Sequence, residues 1–145
     1  MDRLAQYIQM HYWLVAAAVV VLVLVIVFEM RARAESLIAI SPQDAIRLMN
    51  RGALVIDIRA ADQYAAGHIS GARRMDGEQI LSAGETLKKY KQKPLIVYCE
   101  SGSLAMSATR QLKEQGFEQA FNLRGGITAW RSESLPLEKG AKAGG

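Results

Sequence analysis

One cysteine, two histidines and three prolines stand in 145 residues, and each scarcity closes off a class of protein. A single thiol forms no internal disulfide, so the chain is not a disulfide-framed secreted domain, and any sulfur chemistry must use a second molecule. His11 and His68 lie far apart and no Cys/His group has metal-ligand spacing, so no metal is expected. Aromatic residues are few, and beyond Tyr90 none interleaves with the basic run Lys88, Lys89, Lys91 and Lys93. With no nucleic-acid-binding motif beside it, that run reads as a solvated helix end, and nucleic acid is not an expected partner. Residues 1–36 hold three charges of each sign, so the net +4 arises downstream, where 15 Lys+Arg face 11 Asp+Glu. There is no internal repeat.

What the chain has in excess is one apolar run, Tyr12 to Phe28, long enough to span a bilayer. Tyr7, Tyr12 and Trp13 supply interfacial aromatics, and the Val-rich composition leaves no face polar enough for a surface-lying helix. A cleaved signal peptide is the rival reading, since Ala32-Arg33-Ala34 resembles a small-residue cleavage site. Against it, the run exceeds a signal core, and the start carries only Arg3, offset by Asp2. Residues 1–36 are therefore expected to form an uncleaved single-pass anchor, with its span over 12–28 and a polar connector from Met30 to Ser36. The lipid bilayer is one expected partner. Arg31 and Arg33 after the span, against Arg3 before it, place the C-terminal domain in the cytoplasm, a reducing compartment that suits a lone reactive thiol.

Further along, apolar runs and helical patterns alternate. Leu37 to Ile40 reads as a first strand. Ser41-Pro42-Gln43-Asp44 starts a helix: serine caps, proline suits the first helical position, and the acidic residue faces the positive end of the helix dipole. Ala53 to Ile58 is an apolar run interrupted by Asp57 near its end, the pattern of a central parallel strand with a polar residue at its ligand-facing rim. Glu78 to Tyr90 is a helical candidate broken near Ser82-Ala83-Gly84. Ala105, Ala108 and Leu112 fall at helical spacing, with small residues that let the helix lie close on a sheet. Phe117 to Leu123 reads as another strand, Arg124-Gly125-Gly126 as a turn approaching the cysteine, and Ile127 to Trp130 as the start of a last helix. The alternation predicts an α/β domain over residues 37–137, a mostly parallel central sheet flanked by helices, followed by a flexible tail over 138–145.

The chemistry is concentrated between Leu95 and Met106. Leu95 to Tyr98 reads as a buried strand, which places Cys99 at the strand's carboxyl end, where ligands bind in parallel α/β sheets. The Gly/Ser-rich stretch after it leads into a helix whose unpaired N–H groups and positive end would stabilise a thiolate or a bound anion. On position alone, Cys99 reads equally as an inert buried thiol that packs like a small hydrophobe.

Four stretches tip this balance: Val55-Ile56-Asp57-Ile58-Arg59, Tyr64 through Ala72 with Gly67-His68-Ile69 inside it, the cysteine loop, and Leu123-Arg124-Gly125-Gly126 followed by Trp130. In this order and spacing the chain resembles a rhodanese-like domain, the fold of sulfurtransferases, over about residues 37 to 137. With the apolar run ahead of it, it is similar to the single-pass, membrane-anchored rhodanese-like proteins of bacterial inner membranes. The resemblance implies that Cys99 takes a sulfane sulfur from thiosulfate or a persulfide, carries it as a persulfide, and passes it to a thiol acceptor or other nucleophile, with no dissociable cofactor needed. Backbone N–H groups of Glu100, Ser101, Gly102, Ser103, Leu104 and Ala105 would hold the persulfide anion, with the two serine hydroxyls adding hydrogen bonds. Asp57 and Arg59 fall at the same sheet edge and either charge the crevice or hold it, through loop amides and a buried ion pair. His68 is expected to hold its loop rather than to act as a base.

Two residues depart from the family's pattern. Many of its sulfurtransferases carry a basic residue where this chain has Leu104, and Glu100 puts a negative charge next to the nucleophile, which opposes thiolate formation and repels thiosulfate. A non-catalytic, membrane-tethered binding module that presents the fold to a membrane-protein partner is therefore the second reading. A cysteine phosphatase needs an arginine six positions after its cysteine, and Ala105 excludes it.

Overall fold

Residues 1–140 are described in a computed structural model, in which the chain divides into two units after Ser36. The first unit contains α1 (Asp2–Met10) and nearly all of α2 (Tyr12–Ile38). Among the described residues α2 is the one helix long and apolar enough to cross a membrane. Its 27 residues, at about 1.5 Å each, reach about 40 Å against the roughly 30 Å of a bilayer's hydrocarbon. The polar connector expected from Met30 to Ser36 continues α2 as helix, and the strand expected from Leu37 begins only at Ala39. The physical reason is local: Met30-Arg31-Ala32-Arg33-Ala34-Glu35 are good helix formers with no glycine or proline among them, and Glu29 pairs with Arg33 one turn on at 3.7 Å.

The second unit runs β1 (Ala39–Ile40), α3 (Pro42–Asn50), β2 (Leu54–Asp57), α4 (Ala61–Ala66), β3 (His68–Ile69) and β4 (Arg73–Arg74). It continues through α5 (Gly77–Leu81), α6 (Ala83–Thr86), a one-turn 3-10 helix (Lys88–Tyr90), β5 (Leu95–Tyr98) and α7 (Ser103–Glu114). The chain then forms β6 (Ala120–Leu123), α8 (Gly126–Ser132) and β7 (Leu137–Glu138). Five strands make one sheet in the order β1-β6-β5-β2-β4, every neighbouring pair parallel, while β3 and β7 form a separate antiparallel pair.

Alternation along the strands divides the core in two. Ile56, Leu95 and Val97 face one cluster with Ile80, Ala105, Ala108 and Leu112, so α5 and α7 cover that face. Val55, Ile96 and Tyr98 face the other with Ala45, Tyr64, Ile127 and Trp130, from α3, α4 and α8. The α3 start matches its sequence signal, since Ser41 Oγ accepts the Asp44 N–H at 3.2 Å with Pro42 in the first turn. The β6 strand begins at Ala120 rather than at Phe117, because Gly116, at φ +102, turns the chain out of α7 and drops Phe117 into the core before pairing starts. At the far end, β7 extends the paired chain one residue past Leu137, with Glu138 opposite His68 and the Gly140 N–H bonded to the Ala65 carbonyl at 3.0 Å. The rest of the expected tail, 141–145, lies outside the described residues.

The chain builds β2 and β4 to one side, then returns to lay β5 and β6 on the other. The reversal falls between β2 and β5, so their carboxyl ends, which deliver Asp57 and Cys99, flank the crevice where such sheets bind ligands.

Tyr98, the last residue of β5, is fully buried and its hydroxyl accepts the Ile69 N–H at 3.1 Å. Burial pushes the phenol well above its ordinary value of 10.0, and the negative charge of Asp57 pushes it further. The fold therefore keeps a proton that the unfolded chain releases above about pH 10, so this contribution is complete below that pH and lost as pH rises. Denaturant titrations from neutral to strongly alkaline pH should show stability falling above about pH 10, with a shallower fall in Tyr98→Phe. At neutral pH that variant should lose about 1 kcal/mol with the Ile69 hydrogen bond.

Candidate active site

Cys99 leaves the central strand β5 and is 3% exposed, and its sulfur is met by backbone. Sγ accepts the N–H of Gly102 at 3.0 Å and that of Ala105 at 3.4 Å. Gly102 caps α7 at φ +100, a left-handed conformation that lets the loop bend back over the sulfur. The sulfur thus lies at the positive end of a 12-residue helix, with two amide protons aimed at it. Amide N–H groups converging on one atom at a helix start are the arrangement that holds an anion.

The same loop is gripped from behind by α8. Ile127 N–H donates to the Cys99 carbonyl at 2.9 Å, and Thr128 donates to the Glu100 carbonyl through N–H at 3.2 Å and Oγ1 at 2.9 Å. Gly126 makes this approach possible: it lies at φ +59, and a Cβ there would collide with the Cys99 and Glu100 carbonyl oxygens. From the sheet, Asn122 Nδ2 donates to the Gly102 carbonyl at 3.1 Å.

A chain of charges closes one side. Arg59 lies buried and bonds both Asp57 oxygens, at 2.8–3.2 Å, and the Gly67 carbonyl at 2.6 Å. Burial by itself drags the guanidinium down, but its bonds to Asp57 and that carboxylate's charge outweigh it, and Arg59 lies above its ordinary value. Its remaining Nη1 reaches Glu100 Oε2 at 3.4 Å, while Arg131 Nη1 holds Glu100 Oε1 at 2.9 Å. Glu100 therefore differs from its sequence expectation: its carboxylate is engaged by two guanidinium groups, and the run Asp57, Arg59, Glu100, Arg131 alternates in sign and sums to zero.

Three other candidate residues are placed as follows. Ser101 and Ser103 face each other, Oγ to Oγ at 3.3 Å, rather than adding bonds to the sulfur. His68 stacks on Tyr64, with ring centroids 3.8 Å apart, and its Nδ1 is 2.8 Å from the Tyr64 carbonyl. It stabilises the α4–β3 corner and makes no bond to Cys99. Leu104 is 71% exposed at the first turn of α7.

Asn122, Thr128 and Arg131 were not legible as parts of this site. Asn122 did carry a signal, a lone polar residue inside an apolar strand. Thr128 and Arg131 are ordinary residues on a short helix, and only the docking of α8 gives them their role.

An α/β domain with its one cysteine cradled by a helix start at the sheet's carboxyl edge is a cysteine-centred fold of the parallel α/β class. The profile of the rhodanese-like domain matches residues 41–133, and the chain belongs to that family. Over nearly its whole length it is similar to YibN of Escherichia coli K12, itself uncharacterized, with 34% identity across 143 residues, 97% of this chain and 99% of that one. It is 40% identical over 99 residues to the thiosulfate sulfurtransferase GlpE of Ectopseudomonas mendocina, covering 68% of this chain and 88% of GlpE. Among solved structures, a thiosulfate sulfurtransferase from Pseudomonas aeruginosa superimposes with a TM-score of 0.64 at 30% identity. That match covers 72% of this chain and 20% of the larger protein.

Gly126→Ala combines a left-handed backbone with a collision against two loop carbonyls, and should cost about 2–4 kcal/mol. Denaturant unfolding reads that loss. In amide exchange, protection should drop at Gly102, Ala105, Ile127 and Thr128 together, because the two helices share one loop.

Proposed function

We propose that the protein is a membrane-anchored sulfurtransferase that carries sulfane sulfur as a persulfide on Cys99. The observation that carries this reading is the pair of N–H bonds to Sγ from Gly102 and Ala105, at the N-terminus of α7. With thiosulfate as donor, the Cys99 thiolate attacks the outer sulfur, its S–S bond breaks, and sulfite leaves with the electron pair. The loop amides hold the resulting persulfide anion until an acceptor thiolate attacks its terminal sulfur and the Cys99 thiolate departs. The catalytic residue is Cys99, the backbone from Glu100 to Ala105 holds the anion, and Asp57, Arg59 and His68 are positioning residues.

We assign residues 1–36 as the anchor and the domain from Leu37 on as the catalytic unit, in a bacterial inner membrane with the domain on the cytoplasmic side. The length and apolarity of α2 support the anchor, and Arg31 and Arg33 beyond the apolar run support the orientation. A second reading, a tethered binding module for a membrane-protein partner, is favoured by the exposed apolar Leu104 where sulfurtransferases of the family commonly carry a base.

Intact-mass analysis after incubation with thiosulfate or a persulfide should show a gain of one sulfur that Cys99→Ser abolishes. Leu104→Arg should raise thiosulfate turnover by about one to two decades, since a cation a few ångströms from the reacting sulfur contributes on the order of 1–3 kcal/mol. Glu100→Gln should act in the same direction by leaving Arg131 without its carboxylate. If no donor loads Cys99 and Cys99→Ser retains the cellular phenotype, the binding module replaces the enzyme. A reporter fused after Gly145 should be active as a cytoplasmic fusion, and periplasmic activity would reverse the orientation.

A further inference from the structure

Beside the cysteine loop, between α5 and α7, lies a groove of about 310 Å³, at the small end of the range for ligand pockets. Its walls are Ile58, Ile80, Leu104 and Ala108, with Ser107 and Gln111 along one side, and among the described residues none that lines it is charged. The groove abuts the sulfur's own surroundings: Ile80 and Ala108 share one packed cluster with Cys99, and Ile58 packs against that cluster. The first turn of α7 serves both, Ala105 giving its N–H to Sγ and Leu104 its side chain to the groove. Among the described residues from Leu37 on, the exposed large hydrophobic side chains are Leu37, Leu81 and Leu104, and of these Leu104 lines the groove.

The surrounding charges decide which substrate suits it. Arg59 and Arg131, the two arginines that reach the loop, are both already bound to carboxylates. A dianionic donor meets no counter-charge in the groove, whereas an uncharged organic body entering it covers Leu104 and loses no ionic solvation.

We infer that this groove selects organic persulfides, and their parent thiols, whose body is apolar and uncharged, aliphatic or aromatic, over thiosulfate and over charged persulfides. The inference rests on the sulfurtransferase reading and names its substrate class. In the step, the Cys99 thiolate attacks the outer sulfur of R–S–SH and the donor's S–S bond breaks. The R–S⁻ group leaves with that electron pair and takes the proton, giving R–SH and the Cys99 persulfide anion. Atoms and charge balance with no added oxidant. The apolar group R occupies the groove against Leu104 and Ile80.

The test uses the full chain in a fixed concentration of non-ionic detergent and follows Cys99 persulfide by intact mass over time. The donors are thiosulfate, glutathione persulfide and a series of straight-chain alkyl persulfides of increasing length. The apparent kcat/KM should rise with chain length, roughly tenfold for two methylenes moved out of water, until the groove is full. Ser107→Trp, which fills the groove from an exposed position, should flatten that rise, and so should Leu104→Asp, which puts a charge in the wall. Partition of donors into detergent is common to all variants, so the ratio of variant to native protein at each chain length is the deciding quantity. Equal rates across the series, a preference for the charged donors, or an unchanged slope in both variants would overturn the inference while leaving the sulfurtransferase reading in place. Failure of every donor to load Cys99 would overturn that reading and the inference with it.

Discussion

The buried Asp57–Arg59 ion pair is the interaction on which the ligand edge of this domain depends. Two charges removed from water carry a desolvation cost that a bare pair does not recover, and such pairs persist where every remaining donor and acceptor is satisfied. Here the guanidinium grips both Asp57 oxygens at the end of β2, the Gly67 carbonyl between α4 and β3, and Glu100 in the cysteine loop. One buried side chain thus ties three separate chain segments into one arrangement. Removing either charge would leave the other buried and unpaired, a loss of about 3–5 kcal/mol at the point where β2, β3 and the loop after β5 meet.

Around that pair the cysteine peptide is held from two sides. Its sulfur takes amide protons from α7 and its carbonyl takes one from α8, so two helix starts converge on one residue. The positive ends of both helices then act near the same atoms, and a negative sulfur is the group that benefits. The side chains do the opposite: Asp57, Arg59, Glu100 and Arg131 cancel, and Leu104 supplies no charge. The site therefore combines two amide donors and a helix start at the sulfur with a neutral, apolar approach. On the sulfurtransferase reading, that combination separates holding a persulfide from capturing an anionic donor, two tasks a cationic loop residue would perform together.

The sequence by itself determined the architecture of the domain. Continuous apolar runs marked β2 and β5, Ser41-Pro42 marked the start of α3, and Ala105, Ala108 and Leu112 marked the buried face of α7, because burial on both sheet faces or along a helix stripe imposes its own pattern. The cysteine's place at a strand end and the glycines around it were legible for the same reason, since only certain residues fit such turns. The conformation of the connector was not legible from its polarity: Arg31, Arg33 and Glu35 are polar but are good helix formers, nothing in Met30–Ser36 breaks the backbone ladder, and α2 runs through it. The tertiary structure alone decided how the site is charged and held. Glu100 looked like an uncompensated acid until Arg59, 41 positions away, and Arg131, 31 positions away, were brought onto its two oxygens. Asn122, Thr128 and the apolar groove beside Leu104 likewise exist only once α5, α7 and α8 are packed on the sheet. Periodicity reports what a segment does with its own neighbours, whereas charge pairing and groove shape depend on which distant segments meet, and those meetings are set by the packing of the whole domain.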